Sequence, residues 1–313
     1  MTNPELVDLE LLDGLAFFPP LALSKECLPD LRQRMLAIPA VEANPAVLCE
    51  EFRIDGLAGA PPVRVLLYRP RDAAATARAG ILDIHGGGYI MGSPEIGRRI
   101  HESLVAELGC VIASVDYRLA PETAFPGALE DCYVVLEWLH RQAREFGVDP
   151  TRIGVSGMSA GGGLAAALAV YTRDKGQSLL AFQHLIYPMI DDRTCVREPN
   201  PHVGQYVWTP DDNHFGWSAL LGAEPGSPGV SPHAAAARAE DLSGLPATYL
   251  AVGALDLFLQ ENLDYVARLV AAGVPVEAHV YPGAYHGFHV APFARITQLA
   301  ERDSRAALAR FCQ

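Results

Sequence analysis

Residues 157–161 read Gly-Met-Ser-Ala-Gly, a G-x-S-x-G pentapeptide centred on Ser159. An apolar run at 152–155 precedes it, and an Ala/Leu-rich stretch of helical character follows from about residue 160 to 171. A sharp strand-to-helix turn of this kind holds its serine in a strained backbone conformation, with Oγ standing clear of the sheet. Glycines on both sides suit the turn, because a Cβ there would strike the strand or the helix. The chemistry such a serine offers is attack on an acyl carbon. A hydroxyl is a weak nucleophile at neutral pH, so it needs a base within hydrogen-bond reach and an acid to orient that base.

Chain order narrows the partners, since this turn is followed by the acid and then the histidine, each at the carboxyl end of a strand. Among ten histidines, His286 lies in a glycine-containing loop just after the last expected strand, and His289 beside it ranks second. His184 and His279 fall inside strand patterns. Asp256 directly follows an expected strand at 247–252, on the same sheet edge as His286. Asp191, Asp192 and Asp264 are neighbouring alternatives, and an aspartate after a strand is often only a helix cap. The order Ser159, Asp256, His286 favours Asp256.

A tetrahedral oxyanion also needs donors. His85-Gly86-Gly87-Gly88 follows a buried strand, where glycine lets backbone N–H groups converge on one point. The amide of Ala160, next after the nucleophile, is a further donor. No phosphate-loop or dinucleotide spacing is present, so the glycines do not read as a nucleotide cradle. His85 reads as a hydrogen-bonding residue that shapes the loop rather than as a base. No H-E-x-x-H or Cys/His spacing points to a metal, and no cofactor is expected.

These residues must be held by a frame, and the chain supplies one. Half of its 313 residues are hydrophobic and 19% are charged, enough for a sizeable core. The net charge of −13 argues against nucleic acid and anionic membranes as partners. The acidic N-terminus lacks a secretory pattern, no apolar stretch is long enough to span a bilayer, and six scattered cysteines read as reduced thiols. A cytoplasmic protein is the expectation.

Strand and helix patterns alternate from about residue 81 onward, with near-continuous apolar strands, which predicts an α/β fold with a mostly parallel sheet covered on both faces. Residues 47–54 and 63–69 read as an antiparallel edge pair. Two segments stand outside the alternation. Residues 1–45 carry Leu6, Leu9, Leu12 and Leu15 at roughly helical spacing. Residues 191–231 combine several prolines with Tyr206, Trp208, Phe215 and Trp217 and read as an irregular excursion. Both are expected to form a cap, leaving 46–313 as the catalytic domain.

At this point the chain resembles the hormone-sensitive-lipase-like esterases of the α/β-hydrolase superfamily, including bacterial carboxylesterases and heroin esterase. The blocks that carry the resemblance are His85-Gly-Gly-Gly-Tyr89, Asp116-Tyr-Arg-Leu-Ala-Pro-Glu122, Phe125-Pro126, Gly157-Met-Ser-Ala-Gly-Gly162, Gly253-Ala-Leu-Asp256-Leu and His286-Gly-Phe288. The resemblance implies an α/β-hydrolase fold, a helical cap, and an oxyanion hole made by the amides of Gly87, Gly88 and Ala160. It implies a small-molecule ester as substrate, with Tyr89, Met158, Tyr187 and Phe288 as candidate pocket residues. Many members dimerise through an edge strand, so a homodimer is an expectation without a nameable interface. The Asp116–Glu122 block reads as scaffolding beside the site. Amide or lactone hydrolysis would use the same residues. A ligand-binding receptor on this fold would lack the histidine that is present here. One departure stands out: the family usually carries Asp before the serine, where this chain has Met158.

Overall fold

Strand residues alternate between two cores, and that alternation fixes the layers. Leu67, Leu82 and Ala113 face a larger core, while their neighbours Leu66, Ile81 and Ile112 face a smaller one. The structure, a computed structural model, describes residues 4–17, 21–36, 42–72, 77–177 and 179–313. The remaining positions of the expected cap segment (1–3, 18–20 and 37–41), with 73–76 and 178, lie outside the described residues.

Eight strands form one sheet: β1 (Val47–Ile54), β2 (Val63–Pro70), β3 (Arg78–Ile84), β4 (Val111–Asp116), β5 (Val148–Met158), β6 (Phe182–Ile186), β7 (Ala247–Gly253) and β8 (Val276–Tyr281). Their order is β1-β2-β4-β3-β5-β6-β7-β8. The β1–β2 and β2–β4 pairs are antiparallel, as expected for the edge, and the other pairs are parallel. Helices α1 (Leu28–Leu36), α2 (Arg98–Leu108), α3 (Gly127–Arg141), α4 (Ala160–Asp174), α5 (Pro210–Leu221), α6 (Leu259–Ala271) and α7 (Arg295–Phe311) complete the chain. Side chains of α3, α4 and α6 fill the larger core, and Leu104 of α2 and Leu308 of α7 close the smaller one. No helix among the described residues is long and apolar enough to cross a membrane.

Two expectations need correction. The segment 191–231 is not wholly irregular, because α5 lies within it. Thr209 and Asp212 form a reciprocal capping box, and Pro210 takes the first helical position, where its missing N–H costs nothing. Near the N-terminus, the 3-10 helix Leu9–Phe17 buries Leu11 and Gly14, whereas Leu9 is 81% exposed. The fully buried positions are Val7, Leu11 and Gly14, and of the leucine series only Leu12 and Leu15 pack, partly buried, against the core.

The N-terminal elements are tied to the loops at the carboxyl ends of the strands. The Asp8 amide donates to the Gly283 carbonyl at 3.1 Å, and Tyr285 Oη donates to the Leu11 carbonyl at 2.9 Å. Arg32 of α1 donates to the carbonyls of Ile90 and Ala120 at 2.7 and 2.8 Å and pairs with Glu122 at 2.8 Å. One guanidinium thus joins the N-terminal segment, the glycine loop and the Asp116–Glu122 block.

Candidate active site

Four parallel strands end at one place. β5 delivers Ser159, β7 leads to Asp256, β8 leads to His286, and β3 runs into the glycine loop. Ser159 has φ 55° and ψ −124°, a conformation disfavoured for any residue with a side chain. Three hydrogen bonds hold it: its amide donates to Ile186, and its carbonyl accepts from Gly163 and Met189, at 2.9–3.0 Å. The flanking glycines are required sterically. A Cβ on Gly157 would strike the Gly161 backbone, and one on Gly161 would strike the carbonyls of Ile84 and His85.

Ser159 Oγ lies 2.9 Å from His286 Nε2, and His286 Nδ1 lies 2.8 Å from Asp256 Oδ2. The three side chains are buried, Asp256 completely. The other oxygen, Asp256 Oδ1, accepts the Phe258 amide at 2.9 Å. The loops that carry Asp256 and His286 are stitched together by the Ala254 amide on the Tyr281 carbonyl and the Leu255 amide on the Ala284 carbonyl. Phe258 meets the His286 ring edge-on with centroids 5.2 Å apart, and Tyr187 does so at 4.7 Å. Such contacts fix the imidazole plane. His289 does not reach the serine; its ring packs between Phe288 and Tyr187, and burial pushes it down to about 4.

Gly87 and Gly88 have φ of 123° and 60°, which turns their amides out of any regular pattern. No hydrogen bond from the amides of Gly87, Gly88 or Ala160 to a protein acceptor is found among the described residues. His85 holds the loop from below. Its Nδ1 donates to the Gly86 carbonyl at 2.8 Å, its ring stacks on Tyr117 at 4.2 Å, and Tyr117 Oη donates to the His85 carbonyl. Burial lowers the basicity of the His85 imidazole.

The four candidate pocket residues divide. Tyr187 and Met158 adjoin the triad, with Tyr187 Oη 3.8 Å from Met158 Sδ. Tyr89 and Phe288 are buried in packing contacts. Tyr89 is buried against Trp217 with its Oη on the Met189 carbonyl at 2.7 Å, and Phe288 packs among Tyr187, Tyr281 and His289. Aromatic residues beside a motif satisfy a core as readily as a site, and here the core takes them.

Two more residues matter: Trp208, which the sequence reading names only among the aromatics of 191–231, and Glu261, which it does not name. Trp208 stands over the glycine loop, so close that a Cβ on Gly88 would strike its indole ring, and it lies 6.4 Å from the His286 ring. Its Nε1 donates to Asn213 Oδ1 of α5 at 3.3 Å, which makes that helix its support. Glu261 of α6 is buried and accepts the amides of Ile190 and Asp191 at 2.7 and 3.3 Å and the Thr194 hydroxyl. It anchors the segment that follows Tyr187. A glutamate in the first turn of a helix reads as a surface residue favoured by the helix dipole, so no local signal marked it.

Burial pushes the Glu261 carboxyl well above the ordinary carboxylate range. A folded-state value above the unfolded one means that folding binds a proton, so stability falls as pH rises past about 4.5. Glu261→Gln, neutral throughout, is expected to lack that decline. Urea midpoints between about pH 5 and pH 9 should therefore show the wild type losing ground to the variant. Glu261→Ala should be destabilised by about 2–4 kcal/mol, because two buried amides lose their acceptor.

The sheet order, the elbow and the glycine loop define an α/β-hydrolase. The alpha/beta hydrolase fold family matches residues 81–290, and the chain belongs to it. Within that family it is a member of the hormone-sensitive-lipase-like group that the sequence blocks indicated. It is 34% identical over 262 residues to esterase LipI of Mycobacterium tuberculosis, covering 82% of this chain and 80% of the relative. It is 32% identical over 287 residues to arylacetamide deacetylase of Oryctolagus cuniculus, covering 72% of each. Among solved structures, a bacterial heroin esterase superposes over 100% of both chains with a TM-score of 0.93 at 36% identity.

Proposed function

We propose that this enzyme is a serine carboxylesterase that hydrolyses short-chain or small soluble carboxylic esters through an acyl-enzyme. The observation that carries the reading is the unbroken relay from Ser159 Oγ through His286 to Asp256, beside three amides with no protein partner among the described residues. Ester names on the relatives support the same substrate class.

In this reading His286 Nε2 takes the Ser159 proton as Oγ attacks the carbonyl, and Asp256 stabilises the imidazolium that forms. The amides of Gly87, Gly88 and Ala160 receive the oxyanion. The tetrahedral intermediate collapses, His286 protonates the leaving alcohol, and the serine ester remains. Water then enters, gives its proton to His286, and releases the acid by the same sequence in reverse. Residues 1–45 and 191–231 act as the cap, supported by the ties of the first to the His286 loop and by Trp208 of the second over Gly88. A cytoplasmic location is part of the reading, supported by six free cysteines. So is a homodimer through one of the free sheet edges, β1 or β8.

A p-nitrophenyl ester series from acetate to palmitate tests the proposal. Turnover on the shorter acyl chains, falling away toward palmitate, is the expected outcome; no turnover on any ester by folded protein would overturn it. A second reading, amide hydrolysis, draws on the arylacetamide deacetylase relative. Equal or faster turnover of acetanilides than of matched phenyl esters would favour it.

A further inference from the structure

A cavity of about 190 Å³ runs over the sheet face covered by α2 and α7, and its inner end is walled by Gly86 and Met158. That end adjoins the nucleophile: a Cβ placed on Gly86 would lie 3.5 Å from both Met158 Cγ and Ser159 Cβ. Most of its wall surface is apolar, with Ile84, Ile96, Ile100, Leu104 and Leu308 among the contributors. Several of the polar side chains in its wall pair with one another, while Glu301 and Arg305 also line it. His184 sits between Ser156 Oγ at 3.1 Å and Ser304 Oγ at 2.9 Å, and His101 Nε2 lies 2.9 Å from Asp83. Burial holds His184 down at about 4, so this wall residue carries no charge at neutral pH. At the outer end Ile96 and Ile100 remain 38% and 47% exposed among the described residues.

We propose that this slot receives the acyl chain of the ester, with the Met158 side chain as its inner gate. The inference rests on the esterase reading above and adds the acyl specificity of the same site. Three directions leave the reacting carbon. The oxygen points to the Gly87, Gly88 and Ala160 amides, and the leaving oxygen must face His286 Nε2. The slot opens on the Gly86–Met158 side, and Tyr187 stands between it and His286. The chain that fits it is therefore the one bonded through carbon. Met158 suits a gate because its thioether is unbranched and turns about three bonds. It is partly buried against the core, and its one polar contact among the described residues is with Tyr187 Oη at 3.8 Å. An aspartate there would put a charge across the entry, so the departure from the family pattern is what leaves the slot open to an alkyl chain. An apolar cavity of about 150 Å³ accepts benzene, so this one has room for an alkyl chain of about six carbons. Each methylene that enters should raise kcat/KM about fourfold.

The test compares kcat/KM for p-nitrophenyl acetate, hexanoate and octanoate across three proteins. Wild-type preference for hexanoate or octanoate over acetate is expected. Ile100→Trp, a partly exposed position that folding tolerates, should lower the octanoate-to-acetate ratio by about tenfold or more, whereas Met158→Ala should raise it severalfold. Acetate turnover with ratios unchanged in both variants would overturn the slot and leave the esterase reading intact. Absence of any ester turnover by the wild type would instead strike that reading itself. An alkyl acetate series, ethyl to octyl, should be indifferent to Ile100→Trp; a chain-length effect there and not in the acyl series would overturn the assignment to the acyl chain.

Discussion

Ser159→Ala is expected to lower kcat for p-nitrophenyl acetate by about six orders of magnitude, with the fold unchanged. The expectation follows from the relay: without Oγ no acyl-enzyme can form, and His286 and Asp256 have nothing to activate. What remains is the binding site and the three amides, a set worth about 10³–10⁴ over water when a nucleophile is lost from such a triad. The backbone at φ 55° is held by the contacts of Ser159 with Ile186, Gly163 and Met189, all main-chain, so alanine keeps the elbow. Thermal unfolding of the variant should therefore match the wild type within a few degrees, and a steady-state assay at high enzyme concentration reads the loss. A reduction of only a few-fold would mean that another group is the nucleophile.

Asp256→Asn should cost about four orders of magnitude in kcat, and the hydrogen-bond geometry explains why so small a change matters. The Phe258 amide donates to one carboxylate oxygen, and His286 Nδ1 faces the other. In asparagine only the carbonyl oxygen can accept the Phe258 amide, which turns the NH2 group toward Nδ1. The ring must then accept at Nδ1 and carry its proton on Nε2, the nitrogen that should take the proton from Ser159. The tautomer is wrong for a base. A pH–rate profile with the loss persisting at high pH, together with an unfolding midpoint close to wild type, would separate this from a loss of structure. Retention of more than about a tenth of the activity would show that Asp256 does not orient the histidine.

Much of this site was legible before any coordinates. The G-x-S-x-G turn placed Ser159, and strand-to-loop position selected His286 among ten histidines and Asp256 among several aspartates. The reason is physical: in a parallel sheet the carboxyl ends of the strands share one edge, so order along the chain predicts proximity in space. What stayed hidden depended on contacts between distant segments. Trp208 gains its place over Gly88 only because α5 packs beneath it, and nothing in its own neighbourhood announces that. Glu261 looks like an ordinary first-turn glutamate until Ile190 and Asp191 arrive. The helix α5 is a different failure: the capping box and Pro210 are readable, but the several prolines of 191–231 make the whole segment read as irregular. Tyr89 and Phe288 show the converse limit: lying next to a motif says little about which way a side chain packs.

The measurement that tests the central claim most directly is covalent. An alkyl fluorophosphonate reacts with a serine only where a base activates it and an oxyanion site receives the developing charge. The account predicts one adduct per chain, located by peptide mass spectrometry on Ser159, with esterase activity lost in step and no adduct on Ser159→Ala protein. Labelling at another residue, or full hydrolysis by protein fully labelled at Ser159, would contradict it.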